Sequence, residues 1–309
     1  MLLHKNRRLI ACLVLLPALV ATTLMFVSSR TSVAQTTDTA ARMHGQLEAI
    51  VAGKDSAERG AAITRQLEKL EVKVRKQPFE KQNRRGTNII AELPSANSAA
   101  KTLMIGAHYD RVAVGQGAVD NAASCVMLLE LLPRLKKSPL KNFNLHVAFW
   151  DLEEGGLTGS QSHVDAARAD DADEVQLPDA YINFDIFGYG DTLWVMSPKD
   201  DAPLAEAART AGRDAKFPVR IGAKYPPSDH LSFIRGGVPT IAISLIDGAE
   251  IDGVIQIISG GAAKGDKRPR IFEIIHSPND TIDKVDTTAV EKALPVVEQI
   301  IRQFDKTSP

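Results

Sequence analysis

The chain has 309 residues, with 37 Lys and Arg against 38 Asp and Glu, a net charge of −1 and 44% hydrophobic residues. That balance leaves no basic footprint for nucleic acid, and two cysteines are too few for a disulfide scaffold. Length and composition fit one large domain with a sizeable core, and no internal repeat or low-complexity tract interrupts it.

At the amino end, Lys5, Arg7 and Arg8 precede an apolar run from Leu9 to Val27, and small residues close the segment at Ser32-Val33-Ala34. This pattern predicts a secretory signal peptide over 1–34, and so export to the periplasm or the extracellular space. An uncleaved anchor is the competing reading, because a span needs about 20 apolar residues; Pro17 and the downstream small residues favour cleavage. The remaining 35–309 is expected to be one domain with no stable membrane association. Cys12 leaves with the signal, and Cys125, alone in a helix, reads as a small buried apolar residue.

Met43 to Leu70 predicts helices broken near Gly53, with Leu47, Ile50 and Val51 on one face. Val72 to Val74 reads as a short strand, and Asn88 to Leu93 as a better one ended by Pro94. The run Thr102 to Ala107 has the length and apolar continuity of a central parallel strand. It delivers His108 and Asp110 into a polar loop. Asp120 follows, just ahead of a helix with Val126, Leu128, Leu129 and Leu132 at helical spacing, so its carboxylate faces the positive end of that helix. Leu145 to Trp150 is a further strand that ends in Glu153-Glu154. Tyr181 to Phe184 runs into Asp185, Ile241 to Leu245 is strand-like, and Phe272 to Ile275, read as a strand, leads into His276. The alternation predicts an α/β fold, a mostly parallel central sheet flanked by helices. Residues 247–270 form a long excursion, read either as a surface insertion or as a hairpin that walls a pocket.

Taken singly, these polar residues have ordinary explanations. A Glu-Glu pair is usually a solvated turn, Asp120 can be a helix cap, and His108 a strand-end histidine. What separates them from that background is repetition. Successive apolar segments bring His108, Glu153-Glu154, Asp185 and His276 to one edge of one sheet, where open α/β proteins bind ligands. Two imidazoles and three carboxylates, His108, His276, Asp120, Glu154 and Asp185, make a nitrogen-and-oxygen set suited to zinc. The set is too large for one catalytic ion. If Asp120 bridges two ions, each gains one histidine and one further carboxylate, and such pairs lie about 3.5–4 Å apart. Glu153 is then free to act as general base. Asp110, two residues beyond His108 on the same side of the strand, is placed to fix the imidazole tautomer.

These residues sit in segments that resemble the secreted co-catalytic zinc aminopeptidases, peptidase family twenty-eight: His108-Tyr-Asp110, Gly117-Ala-Val-Asp120-Asn121, Glu153-Glu154-Gly-Gly-Leu-Thr-Gly-Ser160, Asn183-Phe-Asp185, Ser228-Asp229-His230 and His276-Ser-Pro-Asn-Asp280-Thr. Each segment is weak alone; six in order are specific. The resemblance runs from about Arg42 to the carboxyl end. It implies a zinc-exopeptidase type of fold acting on peptides, with two zinc ions per chain. His108 and Asp185 would hold one ion, Glu154 and His276 the other, with Asp120 bridging and Glu153 as general base. Tyr225 falls where bacterial members carry an oxyanion-stabilising tyrosine, the plain alternative being a loop tyrosine, while Asp229 and His230 would support rather than ligate. Val119 departs from the family, which often has a second aspartate there, and Pro226-Pro227 replaces a cysteine of some relatives.

The leading expectation is an exported metallo-aminopeptidase. Glutaminyl cyclases share the fold and resemble the segment Gly117 to Glu130, but usually carry tryptophan where this chain has Ile275. Carboxypeptidase action would call for clustered arginines, which are missing. A metal-free binding ectodomain of the same fold is the reading outside enzymology, and the complete ligand set with Glu153 argues against it.

Overall fold

The structure is a computed structural model that describes residues 39–98, 101–169, 175–262 and 268–308; the expected signal segment lies outside them. By contacts the chain divides into Met1–Arg42 and Met43–Pro309, and the fold is that of the second unit. Its helix α1 (43–51) buries Met43, Leu47 and Ile50. The chain breaks at Gly53 and restarts at α2 (Ser56–Lys69), where the Asp55 carboxylate accepts the Glu58 amide at 2.9 Å as an N-cap.

The strands are β1 (Lys73–Lys81), β2 (Arg84–Leu93), β3 (Thr102–His108), β4 (Asn144–Trp150), β5 (Ala180–Phe184), β6 (Thr192–Met196), β7 (Val219–Gly222) and β8 (Thr240–Ile246). They form one eight-stranded sheet in the order β1-β2-β4-β3-β5-β8-β6-β7. The centre, β4-β3-β5-β8, is parallel. Antiparallel pairs attach the β1-β2 hairpin to β4 and attach β6 to β8. Between the strands lie α3 (Ala123–Lys137), α4 (Thr158–Ala166), α5 (Pro203–Ala215) and α6 (His230–Arg235), and after β8 follow α7 (Ile251–Ile258), α8 (Ile271–Ile274) and α9 (Thr287–Thr307).

Side chains leave a strand alternately on its two faces, and the core divides accordingly. Leu103, Ile105 and Ala107 of β3, Leu145, Val147 and Phe149 of β4, and Ile182 and Phe184 of β5 join a large cluster with α1, α2, α3 and α9. Met104, Ala148, Trp150 and Tyr181 point the other way, onto Val164 of α4 and Phe233 of α6. Gly106 sits where a Cβ would come within 2.5 Å of Trp150 Nε1 and 2.8 Å of the Tyr181 hydroxyl. Its lack of a side chain lets those two groups meet across β3, in a 2.8 Å hydrogen bond.

Three sequence expectations need correction. Residues leading into His276 are not a strand: Ile271–Ile274 is a helical turn that buries Ile271 and Ile274, three apart on one face. Short apolar runs carry too little periodicity to separate the two states. The described residues of the 247–270 excursion form no hairpin; Gly248–Glu250 is a 3-10 turn that leads directly into α7. The sequence reading also passed over β6 and β7, which complete the sheet beyond β8.

Candidate metal centre

The three strands β3, β4 and β5 end side by side, with His108 paired to Trp150 and Gly106 to Asn183. The loops leaving them therefore converge. His108 is 1% exposed at the end of β3, and Asp185 immediately follows β5. Asp120 arrives from a tight turn, Ala118–Ala122, wound just ahead of α3. His276 follows α8 with a left-handed φ of 55°, unusual outside glycine, and its side chain is 55% exposed. Leu152 and Ile186 also have positive φ, of 55° and 57°, and they flank Glu153 and Asp185. Backbone held in this region by bulky residues marks a place where side-chain aim matters more than local comfort.

Asp120 is the hub. One carboxylate oxygen lies 3.1 Å from His108 Nε2, and the other lies 3.2 Å from His276 Nε2. His108 Nε2 is also 3.5 Å from Asp185 Oδ1, and His276 Nε2 is 3.1 Å from Glu154 Oε2. Two groups of ligand atoms result, His108 with Glu153 and Asp185, and Asp120 with Glu154 and His276, each spanning no more than 4.8 Å. The carboxylates face two imidazoles with no Lys or Arg ion pair among the described residues. Glu154 Oε1 and Asp185 Oδ1 are buried with no hydrogen-bond partner, which buried polar atoms rarely tolerate. A divalent cation in each group would satisfy these oxygens, so the donor set fits two zinc ions.

The charges perturb one another. Donating a hydrogen bond to Asp120, and then to Glu154, raises the His276 imidazole to about 10. Burial alone would push the Asp120 carboxyl up, but the His108 and His276 hydrogen bonds and charges win and hold it well below its ordinary range. Glu153 moves the other way: burial, helped by the charges of Asp185, Asp229 and Asp120, raises it well above an ordinary glutamate.

Several residues hold this arrangement without belonging to it. The Asp110 carboxylate accepts the backbone amides of Glu153 at 3.0 Å and Glu154 at 3.1 Å, which fixes the acidic pair. It also lies 3.3 Å from His108 Nδ1, a charge contact off the line of a ring hydrogen bond. The Asp280 carboxylate accepts the amides of Ala118 at 2.9 Å, Val119 at 2.7 Å and Asp120 at 3.2 Å, and so grips the hub's own turn. Asn121 clamps the end of β5, donating to Phe184 O at 3.0 Å and accepting from Ile186 N at 3.2 Å. Arg59 is fully buried and donates to the carbonyls of Tyr109, Gln116 and Gly117. The sequence reading gives no role to Asp280 or Arg59, and to Asn121 only that of a candidate helix cap. For Asp280 and Asn121 the signal was there, a polar residue inside each quoted segment; Arg59 lies in none of them.

The Tyr225 hydroxyl is 2.5 Å from Ser244 Oγ and 3.4 Å from the carbonyl of Asp185. Ser244 donates to that same carbonyl, so the Tyr225 hydroxyl is tied to Ser244 and to the end of β5. Asp229 and His230 are buried and belong to neither ligand group. Beside His276 opens a cavity of about 480 Å³, whose walls include Trp194, Ile246, Val254, Phe272 and Ile275. The 247–270 excursion thus contributes a wall through Val254 of α7.

Residues 88–301 match the family described as Peptidase family M28. The chain belongs to peptidase family M28. Among similar proteins, Probable lipoprotein aminopeptidase LpqL of Mycobacterium tuberculosis is 28% identical over 227 residues, 68% of this chain and 43% of that protein. The chain spans about half the length of the curated relatives it matches, 43% and 52% for two of them. The fold is shared with solved structures. BSAP, a zinc aminopeptidase from Bacillus subtilis, superposes with a TM-score of 0.57 at 22% identity, over 71% of this chain and 50% of that one. Porphyromonas gingivalis glutaminyl cyclase superposes at 0.63 and 18% identity, over 88% of this chain and 98% of that one.

Proposed function

We propose that this M28 protein is a di-zinc aminopeptidase that removes residues from the free amino end of peptides. The observation that carries the reading is the position of Asp120, with one oxygen on each imidazole. His108 and Asp185 would hold one zinc, Glu154 and His276 the other, and Asp120 both. Bound zinc would polarise the scissile carbonyl and bring water within reach of deprotonation near neutral pH, from 15.7 towards about 7. Glu153 lies in the group of His108 and Asp185; with Asp120 shared by both ions and Asp185 as the terminal carboxylate of that group, Glu153 is free to act as the base. Its raised proton affinity suits a group that takes a proton from water and passes it to the leaving amine.

Asp110 keeps Glu153 and Glu154 aimed through their amides. The cavity beside His276 is placed to receive the first side chain of the peptide, with walls that are mostly apolar. Tyr225 can serve as oxyanion donor only after its hydroxyl turns from Ser244; in its present place it braces Asp185. The basic and apolar segment ahead of Ala34 supports export, with peptides outside the cytoplasm as substrates. No helix among the described residues is long and apolar enough to cross a membrane.

Purified protein reconstituted with zinc should bind about two ions per chain and hydrolyse aminoacyl anilides. Cyclisation of an amino-terminal glutaminyl peptide without anilide hydrolysis would replace this reading with the cyclase. Absence of zinc binding would replace it with a binding ectodomain.

A further inference from the structure

Arg59 lies outside the residues that match the family, 88–301, and it is the most unusual charge in the domain. It is fully buried, in the first turn of α2, where the helix dipole disfavours a cation. No carboxylate pairs with it among the described ion pairs. Instead Nε, Nη1 and Nη2 each donate to a backbone carbonyl: Tyr109 O, Gln116 O at 2.8 Å and Gly117 O at 3.0 Å. These three carbonyls belong to the two chain segments that carry His108 and Asp120. Tyr109 follows the first ligand, and Gly117 opens the turn that holds the second. Burial of an unpaired guanidinium is costly, and a surface loop could have been tied by neutral donors.

We propose that Arg59 is a positioning residue for the zinc pair: its planar fork fixes the separation of His108 from Asp120. Its charge also stands within the field of Asp110 and Asp280, the carboxylates that hold the backbone around Glu153, Glu154 and Asp120. Lysine could replace the charge but not the three-pronged geometry, since only the guanidinium presents its donors in one rigid plane. Arg59 therefore sets how tightly the apo site closes on zinc, without touching zinc or substrate. This inference rests on the two-zinc reading.

The test is zinc titration of the metal-free full chain against a competing chelator, for wild type, Arg59→Met and Arg59→Lys, with circular dichroism and thermal unfolding of each apo protein. A residue that orients metal ligands indirectly is expected to cost about 10- to 100-fold in metal affinity. Arg59→Met should show that loss, and Arg59→Lys should keep apo secondary structure yet recover only part of the affinity. Wild-type zinc affinity in folded Arg59→Lys overturns the proposal, as does wild-type affinity in Arg59→Met. If Arg59→Met does not fold, Arg59→Lys alone decides between these results. Wild-type protein that binds no zinc would instead overturn the two-zinc reading itself.

Discussion

The two ends of the sheet hold cavities of similar size and opposite character. At the amino ends of the parallel strands a cavity of about 600 Å³ is lined by Phe143, Pro203, Leu204, Val238 and Phe304. At the carboxyl ends a slightly smaller one, about 480 Å³, adjoins His276. By volume and apolar lining the first is the better ligand pocket, yet no group of metal-ligating side chains among the described residues lies beside it. The second is lined by His276, which groups with Asp120 and with Glu154, whose Oε1 is buried without a partner. Shape alone does not locate chemistry; convergent, unsatisfied polar groups do.

The sharpest way to break that contrast is to remove the base. Glu153→Ala leaves both ligand groups their histidines and terminal carboxylates, so zinc content should stay as in the wild type. Anilide turnover should fall by about 10²- to 10⁴-fold, the usual contribution of a positioned base. Turnover within a few-fold of wild type at full zinc occupancy would end the assignment.

The next effect concerns the carboxylate that grips the hub's turn. Asp280→Asn puts an amide where three backbone N–H groups now converge on two carboxylate oxygens, so one oxygen acceptor is lost. Zinc affinity should drop by about 10- to 100-fold, with secondary structure intact. Equal affinities would show that the turn ahead of α3 holds itself.

A third prediction follows from protonation. With the metal absent, His276 is held protonated up to about 10 by Asp120 and Glu154, so at pH 7 a proton must leave before the imidazole can ligate. Zinc affinity should therefore rise with pH, by about tenfold per unit for each proton displaced. Calorimetric titration in buffers of different ionisation enthalpy reads the protons released. No buffer dependence at pH 7 would contradict the protonated state.

At the other end of the sheet the same kind of experiment should report stability only. Leu204 is buried in α5 and lines the larger cavity. Leu204→Ala should cost about 2–5 kcal/mol of folding stability and leave KM for anilides unchanged, whereas Ile275→Ala should shift KM. If Leu204→Ala moved KM as well, the two ends would not be as separate in function as in chemistry.

Much of this was legible before the structure. The parallel centre was legible because β3, β4, β5 and β8 are short apolar runs buried on both faces, and each of the first three ends in a polar cluster. His108, Glu153, Glu154 and Asp185 were legible as polar residues at ends of such runs, and Asp120 as a carboxylate just ahead of an apolar-periodic helix. The approach to His276 was read as a strand because four apolar-rich residues look alike in either state; tertiary burial of Ile271 and Ile274 chose the helix. Arg59 was illegible for a different reason. Its partners are carbonyls 50 or more residues away, and backbone acceptors leave no mark in a sequence.

The smallest predicted effect lies beneath the site, on the face of the sheet that carries α4 and α6. His163 is buried with Nδ1 2.9 Å from Gln77 Oε1 and its ring 5.2 Å from that of Trp150. Burial lowers its proton affinity to about 3. An unfolded chain protonates the same imidazole near 6.5, so between these values the unfolded state binds more protons and stability rises with pH. The contribution is whole above about 6.5 and is lost as pH falls towards about 3, amounting to about 2 kcal/mol at pH 5. In metal-free protein, where loss of zinc cannot contribute, His163→Asn should narrow the difference in unfolding free energy between pH 7 and pH 5 by roughly that amount. Parallel pH profiles for the two proteins would mean that the imidazole takes up its proton without unfolding, and that this face of the sheet, like the metal edge, tolerates a buried charge.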